Sequence, residues 1–170
     1  MMLWETYDKN EIYIIMMLLG AYLAVYIFPK KLPRPLMLLF LVWGFATSTV
    51  FDFTLGGGLF DYYKVNDSNK YELSDLLTYF LFATFSYFFV YFYKVLRIRN
   101  VWIIFYILGW TCIGLAMEKV SSLMGVTHYQ SGYHIYYSIV VFLIVQTTTA
   151  LYYELIKKKW TEPNHASHMD

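Results

Sequence analysis

Five side chains could do chemistry in a chain otherwise made largely of hydrocarbon: Asp52, Asp75, Glu118, His128 and His134. A carboxylate set among apolar residues is a proton or cation acceptor, because a charge taken out of water demands donors, a counter-charge or neutralisation. An imidazole is the natural tunable partner, since it titrates near neutrality. Glu118 is the best placed of the acids. It stands in "CIGLAMEKVSSLMGVTHYQSGYHIYYS", residues 112–138, where Lys119 points to another helix face and Val120, Leu123 and Met124 carry the helix onward. The expected site therefore has Glu118 and Asp52 as acceptors and His128 or His134 as donor. Asp75, in "LSDLL", equally serves as an acid favoured by a helix N-terminus. Two imidazoles with carboxylates are a workable zinc set. His128 and His134 stand at i and i+6, however, and share no helical face, so no metal is assigned.

These residues need elements to hold them, and the composition says which kind. The chain is 59% hydrophobic and 22% aromatic but only 15% charged, whereas soluble domains carry about 25% charged residues. So much apolar surface is hidden against lipid, which predicts an all-α, polytopic membrane protein. Five apolar segments approach the roughly 20 residues that a bilayer-spanning helix needs. They are 12–28, 35–53, 74–95, 101–120 and 134–156, forming one domain over residues 1–160. Trp4 and Tyr7 are expected to anchor the first, short span at the interface. The acidic start "MMLWETYDKNE" lacks a signal peptide's basic region, so that span reads as retained. The tail 161–170, "TEPNHASHMD", is polar, and its "ASHM" resembles a cloning scar, which removes His165 and His168 from any metal argument. Cys112 is the single cysteine, excluding intramolecular disulfides.

The charges predict a direction. Nine basic residues flank one side (Lys30, Lys31, Arg34, Lys94, Arg97, Arg99, Lys157, Lys158, Lys159) and four the other (Lys9, Lys64, Lys70, Lys119). The positive-inside rule then puts the N-terminus outside and the C-terminus in the cytoplasm. Asp52 and Glu118 each come 17 residues into their helices, roughly 25 Å of rise. Both acids thus reach the same outer rim, where Asp75 and His134 open the third and fifth spans. Gly44, Ser48 and Asp52 form one ridge, as do Thr111, Gly114 and Glu118, so each acid is expected to face the bundle over a seam of small residues.

Between these spans, "LRIRN" (96–100) predicts a tight hairpin that makes the third and fourth helices neighbours. The loop 54–73, with Gly56–Gly58 and Phe60, is expected to lie on the membrane interface. Aromatics on all faces of the third span imply packing, with lipid contact and an aromatic belt. Gln146 and Thr147–Thr149 are expected to bond between helices, with a polar lining as the alternative. A weak echo links "VWGFATSTVFD" (42–52) with "LGWTCIGLAME" (108–118), each followed by a loop and a returning aromatic helix, as in parallel repeats.

"YELSDLLTYFLFATFSYFFVYFY" (71–93) followed by "MEKVSSLMGVTHYQSGYHIYYS" (117–138) resembles a family of small five-span integral membrane proteins, of uncharacterised activity, from Gram-positive spore-forming bacteria. The resemblance covers about 35–155. Glu118, Tyr129 and Tyr137–Ser138 fit its motif, while Tyr133 stands where tryptophan is usual. It implies a multi-pass protein of the bacterial cytoplasmic or spore membrane and implies no chemistry. No phosphate-binding loop, HExxH or nucleophile elbow is present, and no catalytic residue or cofactor is assigned. No basic patch fits nucleic acid. The expected function is binding of a small ligand, lipid headgroup or partner protein at the outer-face polar site. The expected partners are the lipid bilayer and a second copy or another membrane protein. The alternative is a proton- or cation-coupled transporter or channel. A lipid-modifying membrane enzyme, with Glu118 and His128 as acid and base, ranks third.

Overall fold

The computed structural model describes residues 9–56, 62–65, 73–130 and 132–161. Its helices are α1 (Lys9–Ile27), α2 (Arg34–Leu55), α3 (Leu73–Val95), α4 (Trp102–Leu123) and α5 (Ser138–Thr161). Two short strands, β1 (Tyr63–Val65) and β2 (Thr127–Tyr129), and a 3-10 turn over Ile135–Tyr137 complete it. All five helices are long and apolar enough to cross a membrane. Their outward faces are apolar too: Met16, Leu19 and Leu23 on α1, Ile104 and Phe105 on α4, and Ile144 and Leu151 on α5 are exposed. Contiguous surface of this kind suits hydrocarbon and not water.

Local chemistry sets the helix limits. Pro33 and Pro35 bracket the start of α2, where a missing N–H costs nothing. α4 runs beyond the expected 120 and stops at a Schellman motif. Gly125, at φ 81°, donates to the Ser122 carbonyl, and Val126 donates to that of Ser121 at 2.9 Å. α3 ends in the same way with Arg97 in the left-handed position, at φ 54°. α1 starts at Lys9, a turn before the expected Ile12, and so takes in Asn10 and Glu11, both buried. α5 starts at Ser138 and not at His134, because residues 135–137 form the 3-10 turn. The expected anchors Trp4 and Tyr7, Gly57, Gly58 and Phe60, Lys70 and the tail 162–170 lie outside the described residues.

α3 is the hub of the bundle. Over its most apolar stretch 56% of residues are buried, against 17–22% for the other helices, because α1, α2 and α5 all pack on it. Tyr79, Tyr87, Phe89, Tyr91 and Tyr93 are buried, and Phe80 and Phe82 are the rings of α3 that stay exposed. α2 meets α3 at close range through Gly44. A Cβ there would lie 2.6 Å from the Ser86 Cβ and 2.9 Å from the Ala83 Cα. The hairpin neighbour α4 meets α3 through rings instead: Trp110 sits 5.0 Å from Phe85 and 5.8 Å from Phe89. Tyr106 donates to the Phe89 carbonyl at 2.6 Å.

The two ends of the bundle differ. At the basic end Phe40, Phe89, Tyr93 and Tyr153 pack into a solid aromatic cluster. There Lys94 ties α3 to the α1–α2 turn, donating to the Lys31 carbonyl at 2.7 Å. At the opposite end, the acid-bearing one, β1 and β2 pair antiparallel, with Tyr63 opposite Tyr129 and Lys64 opposite His128. The echo between the two halves thus has a topological counterpart. Each acid-ending helix leads through a three-residue strand to a returning helix, and the two strands join.

Gly44→Val should push α2 off α3 and lower the unfolding free energy by about 1–3 kcal/mol, as overpacking does. Gly20→Ala, where nothing lies within 4 Å, should be neutral or mildly stabilising, as Ala is in a helix. Thermal melts of both variants in one detergent check the contrast.

Candidate functional site

Beneath the ribbon lies a cavity of about 180 Å³ to which all five helices contribute. One water molecule needs roughly 10–15 Å³, so this space is on the scale of a small organic molecule. Asp52 and Glu118 both line it. The ridge of Gly44, Ser48 and Asp52 forms one wall, and Gly114 stands below Glu118 on another. Gly114 keeps α5 close, since a Cβ there would lie 2.7 Å from the Phe142 ring. The rest of the wall is mainly apolar, including Phe51, Leu81 and Val141.

Both carboxylates are held by neutral hydroxyls. Ser138, the first residue of α5, donates to Glu118 Oε1 at 2.7 Å, and Tyr129 from β2 donates to the same oxygen at 2.9 Å. Tyr133 lies 3.0 Å from the Ser138 oxygen. Because the single Ser138 proton goes to Glu118, Tyr133 is the donor in that contact. Tyr79 on α3 donates to Asp52 Oδ2. Among the described residues no cation stands within ion-pair distance of either acid; Lys157 and Glu154 pair at the basic end.

A tyrosine cap covers this pair. Tyr62 stacks on Tyr133 at 5.6 Å, and Tyr129 and Tyr137 flank the same ring at 5.9 and 5.5 Å. Burial first, then the nearby charges of Asp52 and Glu118, push the Tyr63 phenol well above its ordinary value. Burial and the Glu118 charge raise Tyr129 likewise, and burial raises Tyr133. Tyr63, Tyr129 and Tyr133 therefore keep their protons and remain donors.

The expected site residues separate into two groups. Asp52 and Glu118 come together at one cavity; Asp75, His128 and His134 are not part of its wall. Asp75 is buried in the first turn of α3. His128 is exposed because strand side chains alternate: Thr127 and Tyr129 turn toward the cavity and Glu118, so His128 turns out. His134 is exposed ahead of the 3-10 turn and stacks on Tyr136 at 5.3 Å. The donor role expected of a histidine is filled by hydroxyls, and the acid–base pair of Glu118 with His128 is not assembled. Among the described residues no three His, Cys, Asp or Glu side chains cluster to hold a metal.

Tyr63 and Tyr79 escaped sequence reasoning, since nothing distinguishes them among 18 tyrosines. Tyr129 and Ser138 did carry a signal, as members of the motif quoted with Glu118. The expected bonding along α5 holds for Thr149, whose oxygen accepts from the Trp43 indole at 2.9 Å. It does not hold for Gln146, which is buried with both amide atoms unpartnered. Comparison with known proteins finds no matching family model, no similar curated protein and no similar solved structure.

Ser138→Ala leaves Glu118 with one donor and the Tyr133 hydroxyl without its acceptor, which should cost about 1–3 kcal/mol of stability. In a Glu118→Gln background the same substitution should cost distinctly less. Denaturant unfolding of the four proteins in one detergent yields that coupling directly.

Proposed function

We propose that this is a multi-pass membrane protein that binds a small cationic molecule, an amine above all, in the cavity beneath the ribbon. One observation carries the reading: two carboxylates line a single, mostly apolar cavity, held by neutral hydroxyls, with no described cation beside them. Carboxylates so placed in low dielectric attract a counter-charge strongly. The rings of Tyr63, Tyr79 and Tyr133 line the same space and present faces that favour a cation. By the positive-inside rule the N-terminus is outside and the site lies toward the outer leaflet. The family resemblance supports a bacterial cytoplasmic membrane as its place, with lipid against the apolar exterior.

Cation- or proton-coupled transport is the second reading, favoured by the polar groups of Ser48, Ser86 and Gln146 below the acids. It ranks lower because the aromatic cluster of Phe40, Tyr93 and Tyr153 fills the basic end.

The test is calorimetric titration of the detergent-solubilised protein with n-hexylamine at neutral pH, using n-hexanol to account for micelle partitioning. Saturable binding of the amine alone is expected, weakened roughly tenfold or more in Glu118→Gln or Asp52→Asn by loss of a charged partner. Equal behaviour of amine and alcohol, or amine binding untouched by both variants, contradicts the proposal.

A further inference from the structure

The deep end of the cavity holds two polar side chains that no described residue uses. Gln146 is 2% exposed and Ser86 is 6% exposed. The Gln146 Nε2 and Oε1 and the Ser86 Oγ have no hydrogen-bond partner among the described residues. Buried polar groups are nearly always paired, and each orphan calls for an explanation. Position supplies one here: Gln146 and Ser86 both line the cavity, whereas the unpartnered buried hydroxyls of Ser74 and Thr111 do not. Thr149, one turn below Gln146, is fully used by Trp43 and the Val145 carbonyl.

Two independent paths put these groups at one depth. Gln146 follows Ser138, the Glu118 donor, by eight residues of α5, roughly 12 Å of helix. Ser86 packs against Gly44, which precedes Asp52 by eight residues of α2, again roughly 12 Å. Between the two levels the wall is dominated by apolar side chains, among them Phe82, Met117, Val141 and Phe142. The cavity therefore has an anionic upper end, an apolar middle and a neutral floor that both donates and accepts.

We propose that Gln146 and Ser86 form a second polar subsite, and that the ligand is elongated. Its cationic group sits at Asp52 and Glu118, and a hydroxyl or carboxamide at its other end sits on Gln146 and Ser86. An apolar chain joins them. This inference rests on the proposed cation site above. A group that both donates and accepts satisfies the Gln146 amide and the Ser86 hydroxyl together, which neither a methyl group nor a second charge can do.

The test compares two series on the detergent-solubilised protein, n-alkylamines and terminal amino-alcohols with chains of five to ten carbons. The terminal hydroxyl should raise affinity about three- to tenfold once the chain spans the gap, the scale of one neutral hydrogen bond. It should give nothing at five carbons. Gln146→Leu should abolish that gain while leaving binding of n-pentylamine, which is too short to reach the floor, unchanged. If Gln146→Leu also disturbs n-pentylamine, Ser86→Ala decides: a reduced gain supports the subsite and an intact gain overturns it. A hydroxyl that never improves binding, or a gain that survives Gln146→Leu, overturns the subsite and leaves the cation site standing, the floor then serving water. Failure of every amine to bind overturns both readings.

Discussion

Hydrocarbon offers a carboxylate nothing to bond with, so a membrane helix that carries one has to find its donors inside the protein. At the cavity that constraint falls on Asp52 and Glu118, and hydroxyl groups meet it. Each donor requires its own piece of architecture. Tyr79 reaches Asp52 because α3 lies against α2, which the absence of a side chain at Gly44 permits. Ser138 reaches Glu118 because α5 begins there and not one turn earlier. Tyr129 reaches the same oxygen because Gly125 stops α4 and turns the chain back as β2. The ribbon, the cap and the cavity follow from satisfying two acids.

The same economy explains why the two ends of the bundle differ. At the basic end rings fill the interior, and Tyr106 and Trp110 bridge α3 to α4 without small residues. Around the cavity glycines hold two helix pairs close, while the space under the ribbon stays unfilled. Close-packed interiors rarely leave space on this scale without a use. A cavity with an aromatic cluster on one side and two acids on the other is the arrangement on which the binding proposal rests.

Much of this was legible in the residues. Continuous apolar runs give the five helices, and equal distances from the basic flanks place Asp52 and Glu118 at one level. The glycine and serine ridges point to the faces that line the cavity. The ribbon was not legible, because "YKV" and "THY" are too short for any periodicity to show. Without it His128 looked as available as Tyr129, and strand alternation then chose the tyrosine. Glu11 belongs to the acidic start and falls outside a first span drawn from hydropathy alone; in the fold it is buried in the first turn of α1. The hub position of α3 is a packing outcome, and aromatics on every face look alike in sequence whether they meet lipid or three neighbours.

The central claim is that the acids hold a cationic small molecule, and native mass spectrometry of the protein as purified tests it most directly. The account predicts a non-lipid adduct of fixed stoichiometry on the wild-type chain, carrying a basic nitrogen by fragmentation. That adduct should be absent from a folded Asp52→Asn, Glu118→Gln double variant. A bare wild-type chain that also takes up no added amine, or an adduct the double variant retains in full, would contradict it.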